Sequence, residues 1–380
     1  MPMNRKEQDT RMMKEVTTGI CMRRKVCAIP VFLFLVCSLS FFTSPLSSSW
    51  AVPTHLDKSK VRSGCSDCHK GHGQKGTTLL SKSKDEFCLS CHSLSGKAPD
   101  ISSELSKLSS HHIRETAMYH VPGEELPEKD SSTPRHASCY DCHNVHKSEK
   151  GDRVKGLKGL RGYTGAGMKT RQVSSEYQLC YNCHADSANI PKEKSNVSLD
   201  FSSSNASYHP VESRGKSSTM PSLKRGYTSS SLVDCSDCHG NDNPFGPKGP
   251  HGSIYKPLLK FRYEMTQGAE SPRSYELCYS CHDRTSVLGD ESFKSHKVHI
   301  VYNRISCAQC HNSHGSKYNP SLIEFDTSVV FPTSRGEMTF MPMFPGRPRC
   351  YLSCHVNGKI YEHKLDKNLL YCINGRCMQE

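Results

Sequence analysis

Seven times this chain places two cysteines two residues apart, with a histidine directly after the second. The sites are Cys65, Cys68 and His69; Cys88, Cys91 and His92; Cys139, Cys142 and His143; Cys180, Cys183 and His184; Cys235, Cys238 and His239; Cys278, Cys281 and His282; and Cys307, Cys310 and His311. This is the spacing of c-type haem attachment, in which two sulfurs add to the vinyl groups of one porphyrin edge and the adjacent histidine ligates iron from the proximal face. Zinc sites and disulfides also use CxxC pairs, but neither needs histidine at the fifth position. A redox CxxC does not recur seven times in one exported chain. Covalent haem is the expectation at all seven.

The motifs come in pairs. First-cysteine separations are 41 residues for 139 with 180 and 43 for 235 with 278, while 65 with 88 is shorter. The seventh motif completes its pair only if Cys350, Cys354 and His355, in CYLSCH, form an eighth site with one extra residue between the cysteines. Its separation from Cys307 is again 43 residues, so a haem held through a slightly larger loop is the expected reading. A Cys350–Cys354 disulfide and a decayed remnant are the alternatives.

These features resemble the multihaem cytochromes c with doubled CxxCH motifs, common in anaerobic metal- and sulfur-reducing bacteria. The marks are CSDCHKGHG, CSDCHGNDNPFGPKGPHGS followed by PLLKFRY, CAQCHNSHGS followed by SLIEFD, and CYLSCHVNGK. The resemblance implies a periplasmic or extracellular electron carrier serving anaerobic respiration. The compact first pair depart from the pattern, as does the third pair, which lacks an adjacent CHxxH histidine.

Eight proximal histidines leave thirteen of the 21. Just after the first motif of each pair stand His72, His146, His251 and His314, and upstream of each pair stand His55, His120, His209 and His299. These eight are the expected distal ligands. A histidine three residues after a proximal one lies on nearly the same face of a helical turn. His72, His146 and His314 are therefore expected to reach neighbouring haems. His111, His112, His136, His296 and His363 are left over, and exchanges such as His112 for His120 or His296 for His299 stay open. No methionine recurs in register with the repeats.

The N-terminus, MRRKVCAIPVFLFLVCSLSFFTSPLSSSWAVP, has a basic stretch, an apolar run and small residues at Ser49 and Ala51. Residues 1–51 read as an export signal, with an uncleaved anchor as the alternative. The remainder is expected to form one octahaem unit of four double modules, at about 52–110, 111–200, 201–290 and 291–380. Only 35 % of residues are hydrophobic, too few for a side-chain core of ordinary size. The expected fold is mostly irregular with short α-helices and little sheet, the cofactors forming the core. IEFDTSVVF offers one brief hairpin strand, and Cys372 with Cys377 reads as a disulfide closing a small loop.

The net charge of +13 invites a nucleic-acid reading. Export and two propionates per haem oppose it, and the lysines and arginines read as propionate partners and solvated surface. Electron transfer is the leading expectation, because irons closed by two histidines bind no substrate. A reductase of nitrite, hydroxylamine or a sulfur oxyanion is the alternative and needs one open iron. Expected partners are periplasmic or outer-membrane redox proteins, with self-assembly open and membrane contact only through the export signal.

Overall fold

The computed structural model describes residues 53–70, 79–80, 84–111, 113, 126–127, 129, 136–151, 153–187, 190, 196–217, 219–342, 348–356, 359–363, 371–373 and 376–378. The chain divides into Met1–Trp50 and Ala51–Glu380, and every described residue belongs to the second. The expected export signal lies outside the described residues, as do His72, His112 and His120.

The architecture is mostly irregular, with short helices and small sheets. The longest described helix, Glu176–His184, has nine residues, and several others are the four residues of a single cysteine motif. Such turns do not hold by propensity alone, because helix nucleation is costly and repays only over longer runs. They are held by caps and by packing. At Cys139 and Cys235 the N-cap and third helical residues, Ser138 with Asp141 and Asp234 with Asp237, cap one another. Side-chain packing is thin: one small cluster joins Tyr275, Tyr279 and Ile300, with Tyr263, Val287 and Leu288 against it.

Two-residue antiparallel ladders tie distant segments together. Ser109–Ser110 pairs with Gly252–Ser253, and Ser207–Tyr208 pairs with Gly315–Ser316. The two ladders are built alike. Ser253 and Ser316 are buried and donate to the carbonyls of Leu259 and Ile323, while Ser109 and Ser207 accept from the amides of Leu258 and Leu322. Glycine is required at 252 and 315. A Cβ there would lie 1.7 Å from the Glu104 carbonyl oxygen or 2.0 Å from that of Asp200.

The largest sheet among the described residues is C-terminal. Its central strand, Arg349–Val356, pairs antiparallel with Lys359–His363, with Val330–Phe331 and, near its start, with Thr339–Met341. The IEFDTSVVF expectation survives as the Val330–Phe331 strand. CYLSCH, expected to be a loop, is extended strand instead. Beyond it, Tyr371–Ile373 and Arg376–Met378 form a hairpin whose register sets Cys372 directly across from Cys377.

Candidate functional site

At six of the seven CxxCH motifs the histidine amide donates to the first cysteine's carbonyl at 2.8–2.9 Å: His69, His92, His143, His239, His282 and His311. The seventh histidine, His184, closes the nine-residue helix. This one turn sets both cysteines on a common side and carries the histidine beneath them.

The histidines then meet in twos. Ring centroids are 6.1 Å apart for His55 and His92, 6.0 Å for His69 and His146, and 6.2 Å for His111 and His184. They are 6.0 Å apart for His143 and His251, 6.4 Å for His209 and His282, and 6.2 Å for His239 and His314. His296 and His311 are 6.3 Å apart, and His299 and His363 are 6.0 Å apart. Every CxxCH histidine therefore faces a second histidine. An iron bound by one nitrogen of each ring at roughly 2 Å sets the ring centroids about 6.3 Å apart. All eight separations fit that requirement.

The ring orientations fit it too. Nδ1 of His92, His111, His209, His239, His299 and His311 each lies 2.5–3.1 Å from a backbone carbonyl, those of Pro99, Pro250, Ser313, Pro257, Ser295 and Ser321. A ring that gives its Nδ1 proton to a carbonyl keeps the lone pair on Nε2 for a metal. Burial, and next the facing imidazole, hold His251, His282 and His296 down to about 4, which keeps those rings neutral. Among the described residues, no group of three or more His, Cys, Asp or Glu is placed to hold a metal ion.

The partners cross module boundaries. His146, three residues beyond His143, faces His69, and His314, three beyond His311, faces His239. His251 faces His143. Upstream, His55 and His209 face the second motif of their own pair, His92 and His282. The ladders explain this crossing. His111 and His251 flank one ladder and His209 and His314 flank the other, so each supplies two neighbouring histidines. The His55 region uses a similar contact, the Thr54 amide donating to the Ser148 carbonyl at 3.3 Å.

Three paired histidines stood outside the expected distal set. His111, next to the Ser109–Ser110 ladder, faces His184. His296, of the same module, faces His311. His363 faces His299. By contrast His355, expected beneath a porphyrin like the other seven, has its ring 5.2 Å from that of Phe331.

The cysteines form a row. Thiols of successive pairs lie near one another at Cys88 with Cys139, Cys180 with Cys235 and Cys278 with Cys307. Within pairs, Cys68 neighbours Cys91, Cys142 neighbours Cys180, Cys238 neighbours Cys281, and Cys310 neighbours both Cys350 and Cys354. Each motif thus adjoins the motifs before and after it in sequence.

Residues 165–321, spanning the four motifs from Cys180 to His311, match the family described as outer membrane cytochrome MtrC/MtrF-like, domains II/IV. Residues 59–96, spanning the first two, match the doubled CXXCH motif family. No curated protein and no solved structure matches the chain. No helix among the described residues is long and apolar enough to cross a membrane.

Proposed function

We propose that this chain, a multihaem c-type cytochrome with covalently bound haem, carries electrons along an unbranched row of eight haems ordered in space as in sequence. Each iron is closed by two histidines. The observation that carries this reading is the set of eight histidine pairs at 6.0–6.4 Å. The row of adjoining cysteines supports the order.

When bound, each haem supplies a one-electron couple, and two imidazole ligands set it lower than a His/Met pair would. The chain's part is to position and tune. The cysteine turns fix each porphyrin edge, the carbonyl-anchored rings fix ligand orientation, and the ladders lock neighbouring modules. The four double modules, at about 52–110, 111–200, 201–290 and 291–380, act as one unit, because the distal histidines cross their boundaries. The reductase alternative needs an iron without a second histidine, and the pairing leaves a partner for each.

The outer-membrane family match supports an envelope or extracellular location, reached by export through residues 1–51, with redox proteins of the outer membrane as partners. Addition of carbon monoxide to the dithionite-reduced protein tests the reading, on material whose intact mass gives the haem count. An unchanged spectrum with eight haems is expected. A shift equivalent to one haem would reveal an open iron and favour the reductase.

A further inference from the structure

In the seven CxxCH sites the histidine reaches the iron because the pentapeptide closes a helical turn. The eighth site has no such turn. Arg349–Val356 is a strand, and successive side chains of a strand alternate between its two faces. Cys350 and Cys354 share one face with Leu352. His355 belongs to the other.

The strand register extends this division. In an antiparallel ladder, directly opposed residues project from the same face. His363 is opposed to Leu352, so it joins the face of Cys350 and Cys354. Val330, opposed to Cys354, is on that face as well and is buried. Phe331, opposed to Ser353, is on the face of His355, and the rings of Phe331 and His355 are in contact. His355 itself is opposed to Ile360, which is exposed.

In one cavity, lined by residues of both faces, Cys350, Cys354, His363 and His299 meet with Cys310 of the preceding site. His355 reaches this cavity too, but no described histidine faces its ring. His299 enters from the Val298–Tyr302 turn with Nδ1 2.7 Å from the Ser295 carbonyl, and its centroid is 6.0 Å from that of His363. That is the spacing of the seven CxxCH pairs. His299 also occupies, in its module, the upstream place that His55 and His209 occupy in theirs.

We propose that the iron of the haem at Cys350 and Cys354 is ligated by His299 and His363, and that His355, although it directly follows the second cysteine, is not a ligand. The inference rests on the eighth haem of the proposed function. It separates two roles that one histidine combines elsewhere in the chain: His355 completes the attachment motif, while His363 on the neighbouring strand holds the metal. The extended strand lacks the helical turn that carries the adjacent histidine beneath the ring at the other sites. The adjacent-histidine geometry of the other sites therefore does not transfer to this one.

The test is histidine footprinting of the ferric holo-protein with diethylpyrocarbonate, read by peptide mass, after intact mass has given the haem number. Diethylpyrocarbonate acylates an imidazole nitrogen that is free, so a histidine bound to the metal is protected and one off it is not. Eight haems with His355 modified and His363 protected is the expected result. Eight haems with His363 modified would overturn the ligand assignment alone. A mass of seven haems, with no haem on the Cys350–Cys354 peptide, would overturn the eighth cofactor and this inference with it. As a second measurement, His363→Gly should convert one haem in eight to high spin, and added imidazole should restore it. His355→Gln carrying eight haems should stay wholly low spin, and high-spin iron in that variant would overturn the proposal.

Discussion

The amide of His209 donates to the carbonyl of His314 at 3.0 Å, yet their rings turn to different partners, His282 and His239. Two residues more than a hundred positions apart thus share one backbone contact and enter two different histidine pairs. His111 and His251, which flank the matching ladder, likewise turn their rings to different partners, His184 and His143.

Gly315→Ala should break that contact. The new Cβ would meet the Asp200 carbonyl oxygen at 2.0 Å and the Ser207 carbonyl oxygen at 3.1 Å, both backbone atoms that cannot rotate away. Overpacking of this kind costs about 1–3 kcal/mol. The expected outcome is a lower melting temperature and carbon monoxide binding at up to two haems, those of His239 and His282. Gly156→Ala, with no atom within 4 Å of its Cβ, is the control and should leave both readouts unchanged.

His251→Gly should open the haem at Cys139 and Cys142, not the one at Cys235 and Cys238 to which it is closer in sequence. Its ring faces His143 at 6.0 Å. Carbon monoxide titration should find one open iron. That signal should vanish when Cys139 and Cys142 are also replaced by Ala, and persist when Cys235 and Cys238 are replaced instead.

Tyr181, fully buried between Cys180 and Cys183, donates its hydroxyl proton to Glu212. Burial raises the Glu212 carboxyl and the tyrosine bond opposes that rise. A carboxyl whose folded value lies above its unfolded value binds its proton more tightly when folded. Its contribution to stability is therefore present at low pH and lost as pH rises through the folded value. Tyr181→Phe leaves the carboxylate without this donor, which costs about 1–3 kcal/mol. Thermal melts followed by circular dichroism should show a larger deficit at pH 8 than at pH 5.

Removal of the haems should unfold the chain. The described apolar core is one small aromatic cluster and scattered residues, and ligands that bind only the folded state supply stability by mass action. Chemical cleavage of the thioethers should abolish the near-ultraviolet circular dichroism bands of the aromatic residues and make the chain sensitive to protease throughout.

Much of this was legible in the sequence because covalent attachment is written locally. Cys65 to His69 is a complete instruction for one turn, and repeating it fixes the class of fold with no knowledge of tertiary contacts. The low aliphatic content gave the irregular architecture for the same reason. Distal partners were harder to read, since each depends on where a distant segment lands. Helical geometry alone could turn His146 and His314 away from the histidines of their own motifs, but the meeting of His111 with His184 depends on where the Ser109–Ser110 ladder lands. His363 was invisible. It sits nine residues beyond Cys354, and only the pairing of two strands brings it to the cysteine face. CYLSCH misled because a motif implies its usual conformation, and here the chain is extended.

The ladders that exchange histidines between modules also govern how such a chain can be shortened or lengthened. Cut after residue 290, the third module would keep both of its cysteine pairs but lose His314, so the damage would surface upstream of the missing part. New modules can be spliced only as whole units between existing ones, where each borrows from its successor and lends to its predecessor. The fourth module differs: with His296 and His363 it finds within itself what the others borrow.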